Sequence, residues 1–250
     1  MIKSLKNIYL MTTVLVIMLA LFAHMFSASV NKTEAKVDDV VWSWIEDDAT
    51  RLEKRVVVVE IDENSLNRYG GWPWSRDMVA RLLSKVREEG AALRLVDIVF
   101  PQASVQDAAL AAEINAMPTV MSEVLAVGAD QTPVTGDLKG ALSGINCNKN
   151  SAQANAVIAN TATLKIQHAG HITPQIDDDG VVRRLPAIIC YEQQAYPALS
   201  IAGFMLASLS DNKTVVLNSE SGFWQPSQAL SWEGNAQAIP LDEAGRIMMP

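Results

Sequence analysis

Residues 55–62 read RVVVVEID, a short unbroken run that is rich in β-branched side chains. A run of this kind is typical of a β-strand covered on both faces, as in a parallel sheet. The next apolar run, AALRLVDIVF at residues 91–100, has the same character. We therefore expect two neighbouring strands in the core of the domain.

An amphipathic helix is predicted between these two runs, from Arg76 to Glu89. Its apolar side chains fall on one stripe at helical spacing: Met78, Val79, Leu82, Leu83 and Val86. Ser75 is suited to cap the first turn, and Gly90 is suited to end the helix. Strand, helix and strand in this order predict a right-handed βαβ unit with parallel strands.

The segment from Glu60 to Asp77, EIDENSLNRYGGWPWSRD, contains a connection longer than the two to six residues usual between a strand and a helix. In an open parallel sheet, ligands bind beyond the carboxyl ends of the strands, where Asp62 and Asp97 are expected to share a rim. The candidate ligand contacts are the polar and aromatic residues near this rim: Asp62, Ser65, Trp72, Trp74, Arg76 and Asp97. The alternative is structural, with the aspartates accepting internal hydrogen bonds and the tryptophans closing the end of the core.

Further elements are predicted along the chain. A helix is expected at 107–117, a strand at 118–127, two strands around a turn at 169–191 and a helix at 197–209. Short strands are expected in the tail at 214–217, 228–232 and 238–249, whereas residues 128–155 indicate little beyond a polar loop. The predicted fold class is α/β, with a parallel-stranded three-layer core and an added antiparallel β portion.

A membrane anchor is predicted before this domain. Residues 8–26, IYLMTTVLVIMLALFAHMF, contain only His24 as a potentially charged side chain, and such a length spans a bilayer core. Lys3 and Lys6 precede the segment, which favours a cytoplasmic N-terminus and export of the residues after the segment. A cleavable signal peptide is the alternative. The expected division is residues 1–30 for the start and the transmembrane helix, 31–54 for an amphipathic helix near the membrane, and 55–250 for the exported domain.

Charge and cysteine content restrict the class of protein. The net charge of -8 and the isoelectric point near 4.9 argue against nucleic acid as a partner, because phosphate binding needs a basic surface. Cys147 and Cys190 are the two cysteines, and an exported compartment permits a disulfide between them. Two unrelated thiols remain the alternative, and a zinc site is not expected from so few ligands.

Several segments together resemble one family. EIDENSL, GGWPWSRDMVARLL and LRLVDIVF are followed by DAALAAEI, IDDDGVVRRLP with YPALSIA, and IPLDEAGRIMMP. From about residue 56 to 250, this order is similar to the CHASE family of the second type, the cyclase and histidine kinase associated sensory extracellular domains. The resemblance implies a periplasmic or extracellular sensory domain on an inner-membrane helix, without a cofactor.

The same resemblance implies an output that lies outside this chain. The output module of the family is typically a histidine kinase, an adenylate or guanylate cyclase, a diguanylate cyclase or a protein kinase, and the chain is expected to be the sensory portion of a longer protein. Besides the candidate contacts, the family motif marks these positions: Gly71, Pro73, Phe100, Asp179, Gly180, Arg183, Arg184 and Pro186. The resemblance gives none of them a catalytic role.

Catalytic and metal-binding interpretations have little support in the sequence. The pattern after the first strand resembles phosphohydrolases only faintly, and no GxSxG elbow supports a serine hydrolase. His168 and His171 are predicted to point to opposite faces of a strand, and the Asp-Asp-Asp-Gly turn offers too few oxygen ligands for calcium. We therefore expect a sensory domain, acting as a homodimer on an unknown small ligand. An envelope domain that docks another protein is the alternative.

Overall fold

A computed structural model describes residues 11–19, 22, 55–128, 134–145, 147, 151–177, 179–208, 215–218, 228–232, 238–242 and 244–248. Contacts within the chain define two compact units, residues 1–60 with Pro250 and residues 61–249. In the first unit, residues 11–19 are helical. Among the described residues, no helix is long and apolar enough to cross a bilayer. The helix predicted near the membrane, within 31–54, lies outside the described residues.

The strand predicted at 55–62 is wrong. Residues 56–62 adopt no regular strand, and the side chains from Val56 to Val59 are 57–86% exposed. In the described part of the chain, no strand pairs with this run. Asp62, the last residue of the predicted strand, instead caps a helix that begins at Glu63.

Four helices and twelve strands carry labels in the described part of the second unit. The helices are α1 (Glu63–Tyr69), α2 (Arg76–Glu88), α3 (Asp107–Ile114) and α4 (Leu199–Ser208). The first eight strands are β1 (Arg94–Val96), β2 (Thr119–Val127), β3 (Ala152–Ile158), β4 (His168–His171), β5 (Gln175–Ile176), β6 (Val182–Pro186), β7 (Ile188–Tyr191) and β8 (Gln194–Pro197). The tail contributes β9 (Val215–Asn218), β10 (Gln228–Trp232), β11 (Ile239–Leu241) and β12 (Arg246–Met248).

The main sheet is mixed rather than parallel throughout. Its order is β1-β2-β3-β7-β8, and β4 also pairs with β2. The β1–β2, β2–β4 and β3–β7 pairs are parallel, whereas β2–β3 and β7–β8 are antiparallel. Two smaller antiparallel sheets, β9-β10-β11 and β5-β6-β12, form the added β portion. The α/β class is therefore correct, while the strand directions differ from the prediction.

Helices cover both faces of the sheet at β1 and β2. Val96 and Met121 belong to a buried cluster with Val79 of α2 and Leu110 of α3. Leu95 points to the opposite face, because alternate residues of a strand face opposite ways. There a Cβ added to Gly203 of α4 would lie 2.4 Å from the Leu95 side chain, so α4 packs closely on this face.

The predicted α2 is confirmed, and the reasons are local. The Ser75 hydroxyl accepts a hydrogen bond from the Met78 amide, which caps the first turn. Val79 and Leu83 of the apolar stripe are buried against the sheet. Gly90 has a φ of 90°, a conformation that a glycine adopts without strain, and the helix ends just before it.

Candidate functional site

The Asp62 side chain caps the start of α1. Its Oδ1 accepts hydrogen bonds from the Ser65 amide at 2.8 Å and from the Ser65 hydroxyl at 2.7 Å. The side-chain hydrogen bond from Ser65 is the main cause that lowers the pKa of Asp62. Asn64 donates to Oδ2 at 3.2 Å. Asp62 and Ser65, both candidate ligand contacts, therefore satisfy each other within one helical turn.

An aromatic surface lies at the end of α1 and just after it, and consists of Tyr69, Trp72 and Trp74. The Trp74 ring lies 6.1 Å from the Tyr69 ring and 6.2 Å from the Trp72 ring. Trp74 Nε1 donates to the Gly70 carbonyl at 2.7 Å, and its ring packs against the buried cluster. Tyr69 and Trp72 are 54% and 47% exposed. Trp74 thus closes the core as the structural alternative predicted, while Trp72 is available to a ligand or a partner.

Arg76 ties α2 to the segment between β1 and α3. Its Nε lies 3.0 Å from Asp107 Oδ1, and its terminal nitrogen donates to the Gln102 carbonyl at 2.8 Å. The guanidinium carbon stands 4.1 Å from the centroid of the Phe100 ring, a cation–π contact. These contacts tie the Arg76 guanidinium to three residues of the fold, so its position in the family motif has a structural role.

Asp107 is the partner that the sequence analysis missed. Burial by itself would raise its pKa, but hydrogen bonds from Thr163, Ser104 and Arg76 outweigh burial and lower the pKa. Its side chain is 4% exposed. Its only signal in the sequence is its place at the start of a predicted helix, which explains an acidic residue there without the ion pair.

Asp97 follows β1 and is exposed. Within the described residues, no hydrogen bond or ion pair of this carboxylate is found. The rim predicted for Asp62 and Asp97 required two neighbouring strand ends. Because Asp62 caps a helix and residues 55–62 form no strand, a shared rim is no longer expected from the strand ends.

The family-motif arginines hold the β5–β6 hairpin together. Arg183 binds both oxygens of Asp179 at 2.9 Å, and this hydrogen bonding is the main cause that lowers the pKa of Asp179 to about 2. Arg184 lies 3.0 Å from Asp177 Oδ1. Gly180, with a φ of 83°, occupies the turn position that favours glycine.

The same hairpin is linked to the tail of the chain. Arg184 lies 3.9 Å from Asp242, which also binds Arg246 at 2.6 Å. Pro186 ends β6 opposite Arg246 of β12. The family-motif residues of this segment are therefore explained by pairing between strands, and their charges are used internally.

Cys147 and Cys190 form a disulfide in the structure. Cys190 lies on β7 with no exposed surface, and Cys147 packs against the same buried cluster from the loop before β3. The bridge fastens this loop to the sheet across a sequence separation of 43 residues. In the described part of the chain, no group of three or more acidic, histidine or cysteine residues is arranged to hold a metal ion.

One group of polar residues in the core escaped the sequence analysis. Ser122 and Glu123 lie on β2 and His171 on β4, and each is at most 1% exposed. Burial raises the pKa of Glu123 to about 8 and lowers the pKa of His171 to about 4. The sequence did contain a signal for this group, since Ser122 and Glu123 are polar residues in the interior of the mostly apolar strand TVMSEVLAV.

These features describe a mixed α/β domain in which Trp72 and Asp97 are the exposed candidate residues and most motif charges are paired internally. The model of the CHASE2 domain family matches residues 12–250, so the chain belongs to that family. The family comprises sensory extracellular domains of signalling receptors. No curated protein sequence and no solved structure matches the chain significantly.

Proposed function

We propose that this chain is the extracytoplasmic input part of a bacterial membrane-bound receptor, which detects a signal and passes it to a cytoplasmic output module. The match to the CHASE2 family over residues 12–250 carries this proposal. The disulfide between Cys147 and Cys190 supports it, because disulfides persist in oxidising compartments outside the cytoplasm. The output module is a histidine kinase, an adenylate or guanylate cyclase, or a diguanylate cyclase.

The apolar segment at residues 8–26 is proposed as the anchor in the inner membrane, with the residues after about 30 in the periplasm or extracellular space. Its length and lack of charge support this placement. The receptor is proposed to act as a homodimer. A ligand then transmits a signal only by binding one arrangement of the two chains more tightly than the other.

Trp72 is the proposed centre of the ligand-contact surface. Of the six candidate contacts, Asp62, Ser65 and Arg76 are bound to other side chains, and Trp74 packs on the core. Trp72 and Asp97 are exposed. An exposed tryptophan held beside a second aromatic ring offers a flat face for stacking, so Trp72 is the residue to test first.

A search for thermal stabilisation tests the ligand-binding proposal. The full 250-residue chain is mixed with sets of small metabolites, and a ligand that binds the folded state raises its melting temperature. Trp72→Ala is expected to remove the stabilisation, and Val105→Ala, at a fully exposed site elsewhere, is the matched control. A ligand whose effect survives Trp72→Ala would show that this surface is not its site.

A second function is favoured by one observation. Arg68 lies 5.4 Å from the Tyr69 ring centroid, Trp72 is exposed on the same segment, and arginine, tyrosine and tryptophan are enriched at the hot spots of protein interfaces. The surface therefore also suits docking of another envelope protein. A photo-crosslinker at position 72 distinguishes the two, because docking yields one discrete crosslinked protein and small-molecule sensing yields none.

A further inference from the structure

A polar pair lies in the core of the main sheet, away from the aromatic surface. Glu123 and His171 are each 1% exposed, although ionisable side chains are rarely buried so completely. Neither belongs to the family motif or to the proposed ligand surface. Burying such groups is costly, and neither has an ion pair among the described residues, so a functional role is worth considering.

The sheet register places the two residues side by side. Glu123 of β2 pairs with His171 of β4 in a parallel ladder, in which neighbouring strands lie about 4.8 Å apart. Paired residues of such a ladder project to the same face. A Cβ added to the preceding Gly170 would lie 2.9 Å from the Leu199 nitrogen, so Gly170 faces α4. His171 and Glu123 therefore both face away from α4.

Their hydrogen bonding is incomplete. Glu123 Oε1 accepts one hydrogen bond, from the Lys139 amide at 3.0 Å. Neither ring nitrogen of His171 has a hydrogen-bond partner in the structure described. The Pro186 backbone favours the protonated ring, but burial has the larger effect and lowers the pKa of His171.

The charged groups around the pair come from two further elements. The loop at residues 134–145 contributes Asp137, which raises the pKa of Glu123, and Lys139, which lowers it. β8 contributes Tyr196, whose own pKa is raised first by burial and then by the Glu123 charge. Asp137 and Lys139 bind each other at 2.9 Å, so the Lys139 ammonium is not a free counterion for Glu123.

The loop at 134–145 is pressed closely against the sheet. A Cβ added to Gly136 would lie 2.1 Å from the Ala159 carbonyl, and one added to Gly140 would lie 2.4 Å from the Ala169 carbonyl. Lys139 lies between these two glycines and donates its amide to Glu123. A change in the protonation state of Glu123 therefore acts directly on a contact that holds this loop against the sheet.

We propose that Glu123 and His171 form a buried proton-binding pair through which the domain responds to the pH of its compartment, and that loss of the Glu123 proton releases the loop at 134–145. The released proton goes to solvent, and the carboxylate gains water only if the loop moves away from it. Acidification acts on the partner residue, since His171 then takes up a proton inside the core. This inference rests on the proposed sensory function and names the proton as a ligand.

Amide hydrogen exchange on the full chain tests the release of the loop. Relative to intrinsic exchange, protection of the Lys139 amide is expected to fall by about tenfold per pH unit between pH 6 and 8 and then to level off. The Ala198 amide, which donates to the Ala187 carbonyl at 2.9 Å in the sheet, is the internal control for global unfolding, and its protection is expected to fall no further than the global stability does. Constant protection at Lys139 from pH 6 to 9 would overturn the proposal.

A matched variant assigns the effect. Glu123→Gln keeps the shape and an oxygen acceptor but never ionises, so its Lys139 protection is expected to stay flat with pH. A fall equal to that of the unmodified chain would show that another group controls the loop. For His171, the ring carbon shifts in NMR are expected to titrate well below pH 6.5, and a midpoint near that value would remove His171 from the pair. Neither result depends on Trp72, so a failure here leaves the ligand surface untouched.

Discussion

Arg76 Nε lies 3.0 Å from Asp107 Oδ1, and this contact joins the start of α2 to the start of α3 across 31 residues of sequence. The two side chains are only 16% and 4% exposed. Phe100 stacks below the guanidinium, so the family-motif arginine closes one end of the buried cluster. The contact explains Arg76 through stability rather than through ligand recognition.

Removing Arg76 is therefore expected to destabilise the fold. Arg76→Ala leaves the buried Asp107 carboxylate without its cation, which costs about 3 kcal/mol of unfolding free energy. Urea unfolding of the full chain measures the loss. Lys85→Ala is the control, because Lys85 pairs with Glu89 on the exposed face of α2 and no measurable change is expected. If Arg76→Ala stays as stable as the unmodified chain but loses the response to a ligand, Arg76 has a role in ligand binding.

Substitutions of Trp72 and Trp74 are expected to have different effects on stability. Trp74 packs on the buried cluster and donates to Gly70, so Trp74→Ala is expected to lower the unfolding free energy by about 3 kcal/mol. Trp72 is 47% exposed, and Trp72→Ala is expected to leave stability nearly unchanged. Thermal unfolding of both variants measures the difference. Equal destabilisation would mean that Trp72 is also a core residue.

The disulfide is expected to make a large contribution to stability. The double variant Cys147→Ser and Cys190→Ser removes a crosslink between residues that are 43 positions apart in sequence. In the chain-entropy model, this loss lowers the free energy of unfolding by about 4 kcal/mol. Urea unfolding compares the variant with the oxidised chain. Mass analysis after alkylation, without reductant, is the check on the bridge itself. Two alkylated thiols in exported protein would contradict the bridge.

The stability of the domain is expected to fall as pH rises from 6.5 to 8. The pKa of Glu123 is raised from 4.5 to about 8 in the fold, so its contribution is full below 4.5 and is lost as pH rises through 8. The pKa of His171 is lowered from 6.5 to about 4, so its contribution is full above 6.5 and is lost as pH falls through 4. Between pH 4.5 and 6.5, the Glu123 contribution to stability falls with rising pH while the His171 contribution rises.

Above pH 6.5 only the Glu123 slope remains, up to about 1.4 kcal/mol per pH unit. Chemical denaturation at several pH values measures it. Glu123→Gln is expected to remove the fall between pH 6.5 and 8. If Glu123→Gln shows the same fall in stability, another ionisable group causes it.

Local signals made part of the fold predictable. α2 was predicted because its cap, its apolar stripe and its terminal glycine all lie within sixteen consecutive residues, from Ser75 to Gly90. β2 was predicted at nearly its observed bounds, since its apolar run is bounded by Pro118 and Gly128. The β5–β6 turn was predicted from the aspartates and Gly180.

Partners distant in sequence could not be predicted. The valines at 56–59 have the composition of a strand, but composition does not reveal whether another strand pairs with them. For the same reason, the ion pair of Arg76 with Asp107 and the neighbouring positions of Glu123 and His171 could not be predicted. Of the candidate contacts, Trp72 is exposed, whereas the shared rim predicted for Asp62 and Asp97 depended on a strand that residues 55–62 do not form.

The central claim is that the folded domain lies outside the cytoplasm, and the most direct test is labelling of intact bacterial cells with a membrane-impermeant maleimide. Val105→Cys places a thiol at a fully exposed site, and Ser4→Cys places one before the apolar segment. We expect that position 105 is labelled in intact cells and position 4 only after lysis. Labelling of position 105 only after lysis would contradict the claim.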